Sequence, residues 1–230
     1  YNPATKVKVA ALDENHTTHY NYPNTILSSI AADDLSNYVT LAERINKDRA
    51  IKLVHVQHEF GIFGGEWGNY LIPFLQTVKK PVAITFHSVL PHPEDHLKKT
   101  VELIGKHTRA IIVMNNLSKT ILETDYALPK SKLFLVPHGI PQVMFEPSRQ
   151  AKTALGLNHK LVLSTFGMIS KDKGIEDVIQ ALPAIVKKYP NIVYLVIGAT
   201  HPHVLNYDGE SYRNFLIKEI ERLELKNHVQ

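Results

Sequence analysis

Short apolar runs alternate along the chain with longer segments in which apolar residues recur every three or four positions. The runs are rich in β-branched residues and are too short for buried helices, so each one predicts a buried strand. Segment 33–47 shows the helical spacing, with Leu35, Val39, Ala42 and Ile45 on one face. Strands that alternate with amphipathic helices predict an α/β fold, in which a parallel sheet is covered by helices.

This alternation runs through nearly the whole sequence. Predicted strands cover residues 7–12, 51–57, 81–86, 110–114, 132–136, 160–166 and 192–197. Predicted helices cover residues 33–47, 66–79, 96–106, 116–126, 174–189 and 212–225.

The alternation of predicted strands and helices is interrupted once, at "PHGIPQVMFEPSRQ" (residues 137–150). This segment has three prolines and no periodicity. This segment predicts a linker between two Rossmann-like, doubly wound units. The expected division is an N-terminal domain at 1–140, a linker at 141–150 and a second domain at 151–230. Two predicted strands do not make a stable parallel sheet alone. We therefore expect an internal piece of a longer protein, with its first unit nearly complete and its second truncated.

The composition favours a globular protein and excludes some chemistry. Of the 230 residues, 44% are hydrophobic and 21% charged, and no apolar run approaches a bilayer span. The absence of cysteine excludes disulfides, thiolate metal sites and a cysteine nucleophile, and it agrees with a cytoplasmic location. The net charge is +4, but Lys and Arg are scattered, so no nucleic-acid partner is expected.

Ligands of doubly wound sheets bind beyond the carboxyl ends of the strands, and four such ends stand out. The first is "VHVQHEFGIFGGEWGNY" (54–70), which has four glycines after a strand. Glycines let the backbone approach a ligand, and a plain strand-to-helix turn explains them equally well. The spacing matches neither the dinucleotide fingerprint nor the Walker A loop.

The second strand end, "TFHSVLPHP" (85–93), places His87 after an apolar strand. A neutral imidazole there could bond a sugar hydroxyl or take part in proton transfer. The alternative is a structural histidine bonded to a neighbouring loop.

The other two strand ends lie in the second unit. In "FGMISKDKGIED" (166–177), Gly167 marks the turn, and Lys173 and Gly174 stand at a helix N-terminus that could bind a diphosphate. In "VIGATHPH" (196–203), Gly198 ends a strand before a loop that could approach a nucleotide base or ribose. An ordinary turn remains the alternative at both places.

A metal site is not supported by the sequence. His55 and His58 are three residues apart on a predicted strand, so their side chains should point to opposite faces. The H-E-x-x-H pattern of zinc hydrolases and the G-x-S-x-G elbow are both absent. We expect no metal and no other cofactor.

Together, "QHEFGIFGG", "TFHSVLP", "VPHGI" and "FGMISKDKGIED" resemble the retaining glycosyltransferases of the GT-B fold, specifically glycosyltransferase family 4. The resemblance implies a hexosyltransferase-type enzyme that moves a sugar from a nucleotide-diphosphate sugar to a carbohydrate or other hydroxyl acceptor without a metal. The first unit would bind the acceptor and the second the donor.

The resemblance also implies functional roles for individual residues. Gly167, Lys173 and Gly174 match the diphosphate-binding motif of the family, whereas Met168 stands where the family has arginine. His87 matches the catalytic-site histidine beside the donor sugar and acceptor, and the loop with Glu59, Gly64 and Gly65 would face the acceptor.

Two features of the family do not occur in this sequence. Its paired donor-binding glutamates and its first glycine-rich loop are missing, so we expect this piece alone to be inactive. The missing arginine leaves a second hypothesis open: a non-catalytic Rossmann-like module that binds a sugar or nucleotide, or regulates a larger enzyme.

Overall fold

The computed structural model describes residues 5–15, 20–23 and 26–230. The chain divides into two compact units, the first ending at Pro141 and the second beginning at Gln142. Each unit contains parallel strands connected through helices, which is the α/β architecture that the sequence pattern predicts.

The first unit contains two parallel sheets. Strands β1 and β2 form one pair, and the other sheet has the order β3-β4-β5-β6. The strands are β1 (Val9–Asp13), β2 (Ile26–Ala31), β3 (Val54–His58), β4 (Val82–Phe86), β5 (Ala110–Val113) and β6 (Leu133–Leu135). The helices are α1 (Leu35–Lys47), α2 (Leu71–Thr77), α3 (Asp95–His107) and α4 (Asn116–Thr124).

Side-chain caps define where two of these helices begin. The Asp34 carboxylate accepts a hydrogen bond from the backbone N–H of Ser36 at the start of α1, at 2.8 Å. The Asn115 side chain accepts one from the Ser118 N–H at the start of α4, at 2.7 Å. Each cap satisfies a backbone donor that has no partner within the helix.

The structure differs from the predicted elements in two places of the first unit. Strand β2 was not predicted, because "ILSSIA" carries two serines and lacks a continuous apolar run. The predicted helix at 66–79 is divided into a 3-10 turn (Glu66–Gly68) and α2, because Trp67 and Gly68 have positive φ angles of 54° and 76°. A helix cannot continue through left-handed residues.

One hydrophobic core holds the first unit together. Helices α1, α2 and α3 lie side by side, and α4 packs on β5 and β6. The most buried positions come from the middle strands and from α3, as in Ile84, Ile111, Val101 and Ile104, all at 0% exposure. The amphipathic pattern of the helices agrees with this packing, since their apolar faces contribute to one core.

The second unit has its own core around a two-stranded parallel sheet, β7 with β8. Its elements are α5 (Ser148–Ala154), β7 (Leu161–Phe166), α6 (Ile175–Lys188), β8 (Ile192–Ile197), α7 (Pro202–Asp208) and α8 (Ser211–Arg222). Val229 adds a parallel bridge to Tyr194 of β8. Helix α5 already begins at Ser148, inside the segment predicted as an aperiodic linker. Helix α7 was not predicted.

Within the described ranges, no helix is both long and apolar enough to cross a membrane.

His58 is an unusual member of the first core. Its side chain is 0% exposed and lies among three phenylalanine rings, with ring centroids 4.5 Å from Phe86, 5.0 Å from Phe60 and 5.4 Å from Phe63. Neither ring nitrogen has a hydrogen-bond partner among the described residues. Burial, together with repulsion from His87, lowers the pKa of His58 to about 4. The imidazole is therefore neutral in the folded chain at neutral pH.

We predict that His58 makes the first unit sensitive to acid. Its pKa is lower in the folded chain than in the unfolded chain, so the unfolded state binds the proton more tightly. Stability is then complete above about pH 6.5 and is lost as the pH falls towards 4, by about 3 kcal/mol for a shift of this size. Urea unfolding of wild type and His58→Met between pH 7 and 4 measures this contribution.

The wild-type stability should fall relative to His58→Met as the solution is acidified. Phe63→Leu is the control, because it changes the same ring cluster without removing a titratable group, and it should keep the wild-type pH dependence. If the free energies of unfolding of wild type and His58→Met changed equally with pH, this would contradict a neutral, buried His58.

Candidate functional site

A row of polar side chains lies at the carboxyl end of β3 and β4 in the first unit. In the parallel register, Gln57 is the neighbour of Thr85 and His58 that of Phe86. Because side chains alternate along a strand, His55 and Gln57 share one face, and the adjacent Thr85 and His87 extend it. This face is polar, while the opposite face of β3 carries Val56 and His58 into the core.

Hydrogen bonds link the row from one side chain to the next. His55 Nε2 lies 2.8 Å from Thr85 Oγ1 and 3.3 Å from Gln57 Nε2. Gln57 Oε1 lies 2.8 Å from His87 Nε2. The main chain is tied at the same point, since the His87 N–H donates to the His58 carbonyl at 3.0 Å. The structure thus brings the predicted His87 together with Gln57, which the sequence analysis did not select.

His55 and His58 point to opposite faces of β3, as their spacing predicts. His55 is exposed and His58 is buried. The pKa of His55 is lowered by partial burial and by repulsion from His87, so its ring also favours the neutral form. In the part of the chain that the structure describes, no three His, Asp or Glu side chains are grouped so that they could hold a metal ion.

Glu59 begins the glycine-rich loop and is held on both carboxylate oxygens. Oε2 accepts a hydrogen bond from Ser88 Oγ at 2.7 Å, and Oε1 accepts one from the Phe60 N–H at 3.1 Å. Ser88 follows His87 directly, so Glu59 links the loop after β3 to the loop after β4. Glu59 therefore has a structural partner beside the polar row, and its role towards an acceptor stays a prediction.

Gly64 and Gly65 are required by close packing within this loop. A Cβ at Gly64 would overlap the Ala32 carbonyl oxygen, and one at Gly65, whose φ is 77°, would overlap the Asn69 side chain. The Gly64 N–H donates to the Tyr38 hydroxyl at 3.1 Å, and that hydroxyl donates to the Ala32 carbonyl at 3.0 Å. The glycines thus have a packing reason, and their predicted contact with an acceptor is a separate hypothesis.

In the second unit, the predicted diphosphate-binding residues lie between β7 and α6. Gly167 follows β7 with a φ of 141°, and the 3-10 turn Lys171–Lys173 leads to Gly174, which is left-handed at φ 61° and ψ 29°. Gly174 is the N-cap of α6. Lys173 therefore stands directly before the N-terminus of a helix of 14 residues, where backbone N–H groups and the helix dipole favour an anion.

Both signs of charge occur around this turn. Lys171 and Lys173 are exposed, and among the described residues neither ammonium is in an ion pair. Asp172 lies between them, and its pKa is lowered by hydrogen bonds from its own N–H and from Ser170. Glu176, in the first turn of α6, accepts a hydrogen bond from the Tyr212 hydroxyl, which holds that carboxylate against α8. The two lysines are therefore available as cations to an anionic ligand at this turn.

Gly198 makes a close backbone contact at the carboxyl end of the same sheet. A Cβ at this position would overlap the Gly167 carbonyl oxygen. The loops after β7 and β8 stay paired beyond the strands, since Ile169 N–H donates to the Ala199 carbonyl at 2.8 Å. Gly198 is thus explained by packing, and its contact with a nucleotide stays a prediction. The side chain of His203 lies outside the described residues.

Met168 occupies the position at which the resembled family has arginine. Its side chain is 51% exposed at the carboxyl end of β7. A thioether cannot donate a hydrogen bond to a phosphate, so this position supplies no cationic contact.

Gln57 and Tyr38 contact the candidate site residues, but the sequence pattern does not single them out. The alternation of His55, Gln57 and Glu59 along the strand was a usable signal for one polar face. That signal does not reveal that Thr85 and His87 extend the row, because strand register decides this. No local pattern points to Tyr38, which lies in α1, 26 positions before Gly64.

Comparison with solved structures identifies the fold. The chain matches Alr3699/HepE from Anabaena, solved with UDP, with a TM-score of 0.67 at 15% identity, over 90% of this chain and 55% of that one. It matches a glycosyltransferase from Rickettsia africae with a TM-score of 0.61 at 18% identity, over 88% and 54% of the two chains. The pneumococcal O-GlcNAc transferase GtfA, solved with UDP and GlcNAc, gives 0.57 at 16% identity, over 84% and 35%.

These neighbours have the GT-B fold, so the α/β fold with parallel sheets predicted from the sequence is confirmed. The chain spans about half the length of the HepE structure, 55%. Residues 148–230 match the sequence model of the family described as Glycosyl transferases group 1. No curated protein matches the chain in sequence. The matched segment lies within the second unit and includes Lys173.

We predict that the fit of Gly64 against Ala32 stabilises the loop after β3. Gly64→Ala should lower the free energy of unfolding by about 2–3 kcal/mol, since overfilling a packed position costs this much and the obstacle is backbone. Gly61→Ala is the matched control in the same loop, where an added Cβ meets nothing within 4 Å. Urea unfolding measures both variants, and equal stabilities would contradict the packing explanation.

Proposed function

We propose that this chain is part of a retaining glycosyltransferase of family 4 that moves a hexose from a nucleotide-diphosphate sugar to a hydroxyl acceptor. The observation that carries the proposal is the lysine-bearing turn 171–173, which leads through left-handed Gly174 into α6 within the matched segment 148–230. The complexes of HepE and GtfA with UDP support a uridine diphosphate donor as the first to test.

The donor diphosphate would bind at the N-terminus of α6. Glycosyl transfer breaks the anomeric carbon–oxygen bond and leaves negative charge on the diphosphate. Lys173 and the free N–H groups of the first helical turn would stabilise that charge, which is the kind of interaction that contributes most to such catalysis. Gly167 would let the backbone approach the phosphates.

The acceptor would react at the polar row of the first unit. The acceptor hydroxyl would attack the anomeric carbon from the side on which the diphosphate departs, which retains the configuration. The leaving phosphate oxygen would take the hydroxyl proton, so this route uses no protein base and no metal. His87 would hydrogen-bond the reacting sugar, and the loop with Glu59, Gly64 and Gly65 would face the acceptor.

Met168 motivates the competing hypothesis of a non-catalytic module that binds a sugar or nucleotide. An enzyme of this type needs the diphosphate held firmly, and the side chain that would add a second cation is here a thioether. Lys171 is exposed in the same turn, and we propose that it supplies the missing positive charge.

We predict that the chain binds UDP and that Lys173→Ala weakens this binding at least about tenfold, the effect of losing one charge-assisted hydrogen bond. Lys187→Ala is the matched control, because Lys187 lies in the last turn of the same helix. Isothermal titration calorimetry measures both. Absence of UDP binding at millimolar concentration, or equal affinities for the two variants, would refute the assigned role.

We also predict that UDP binds equally well in EDTA and in excess Mg²⁺, because lysine and the helix N-terminus neutralise the diphosphate in the proposed complex. The same calorimetric titration in the two buffers tests this. An affinity that rises by tenfold or more with Mg²⁺ would mean that a metal ion takes part in donor binding.

A further inference from the structure

We propose that Gln57 is a positioning residue: it fixes His87 in the Nε2–H tautomer and leaves Nδ1 as the hydrogen-bond acceptor for a hydroxyl of the bound sugar. This inference rests on the proposed function for the identity of the ligand. The tautomer itself follows from contacts within the first unit.

The contact between Gln57 and His87 determines which ring nitrogen carries the proton. Gln57 Oε1 lies 2.8 Å from His87 Nε2. An amide oxygen only accepts hydrogen bonds, so Nε2 must donate and must carry the proton. In a neutral imidazole the other nitrogen, Nδ1, then has a free lone pair.

The contact at the other end of the row agrees with this orientation of the Gln57 amide. The Gln57 NH₂ group lies 3.3 Å from His55 Nε2, and in this arrangement the amide donates and the ring nitrogen accepts. Partial burial and repulsion from His87 lower the pKa of His55, which keeps its ring neutral. The Thr85 hydroxyl lies 2.8 Å from the same nitrogen, and a hydrogen bond that it donates shares the single lone pair with the Gln57 amide. With the amide NH₂ turned to His55, its oxygen must face His87.

The main chain holds the two partners in register. Gln57 is on β3 and pairs with Thr85 of β4, two residues before His87. The His87 N–H donates to the His58 carbonyl, next to Gln57, at 3.0 Å. The distance between the amide and the imidazole is therefore set by the sheet, and a side chain of the same reach at position 57 is needed to meet the ring.

The remaining nitrogen of His87 is available to a ligand. Among the described residues no hydrogen bond involves Nδ1, and His87 is exposed at the carboxyl end of β4. A lone pair accepts a hydrogen bond from a sugar hydroxyl, which an N–H group in its place could not do. The tautomer thus determines whether His87 Nδ1 can accept a hydrogen bond from a sugar hydroxyl.

The test is the tautomer of His87, measured by nitrogen-15 NMR of the imidazole rings in the 230-residue chain above pH 8, where histidines are neutral. Wild type should show protonated Nε2 and unprotonated Nδ1. Gln57→Met removes the acceptor and should leave a mixture of both tautomers, whereas Gln57→Glu keeps an acceptor oxygen and should restore the wild-type pattern. Gln57 is exposed, so these variants should fold, and circular dichroism checks this.

Ser88→Ala is the matched control. It removes a hydroxyl directly beside His87 that bonds Glu59 and does not touch Gln57, and it should leave the tautomer unchanged. The proposal is overturned if wild-type His87 carries its proton on Nδ1, or if Gln57→Met leaves the tautomer unchanged. A change in Ser88→Ala equal to that in Gln57→Met would also overturn it, because the effect would then not depend on Gln57.

The result is separable from the proposed function, because the NMR measurement needs no donor or acceptor. A Gln57-dependent tautomer in a chain that fails to bind UDP would refute the transferase and keep the positioning role. UDP binding together with a tautomer that does not depend on Gln57 would support the transferase and refute the positioning role.

Discussion

The register of β3 against β4 is the constraint on which the first unit's site depends. Parallel pairing places Gln57 beside Thr85 and brings the His87 N–H to the His58 carbonyl. A shift of one residue would turn every side chain of β3 to the other face. It would expose His58 and Val56 and bury Gln57 without partners. The same pairing thus fills the core with one set of side chains and lines the candidate site with the other.

His58 shows what this arrangement costs. A buried imidazole without a hydrogen bond destabilises the fold by about 1–3 kcal/mol. Its contacts with the three phenylalanine rings offset part of this destabilisation. The residue sits between Gln57 and Glu59, both in hydrogen bonds of the site. Because side chains alternate along a strand, the residue between Gln57 and Glu59 must point to the opposite face, which is the core.

In both units, glycines at the strand ends are explained first by backbone contact. Gly64 lies against Ala32 and Gly198 against Gly167, and neither place admits a Cβ. These contacts bring separate loops together at the carboxyl edge of each sheet, where ligands of doubly wound folds bind. A glycine that is needed for packing can still shape a ligand surface, since removing its side chain is what lets the loops close. Packing and binding are therefore not exclusive explanations for these residues.

The hydrophobic pattern of the sequence was sufficient to predict the α/β class and most strands and helices. Strands buried on both faces need continuous apolar runs, and helices buried on one face need an apolar repeat of 3.6 residues. It also predicted the opposite directions of His55 and His58 and the place of Lys173 before a helix. Local pattern failed at β2, which lacks an apolar run, and at the 3-10 turn Glu66–Gly68, where positive φ angles interrupt the helix. Only the tertiary structure decided that Gln57 meets His87 and that Tyr38 anchors Gly64, because these contacts join residues 30 and 26 positions apart. The sequence determines which face each side chain takes within its own element, but the partner across a sheet or loop is set by strand register and packing.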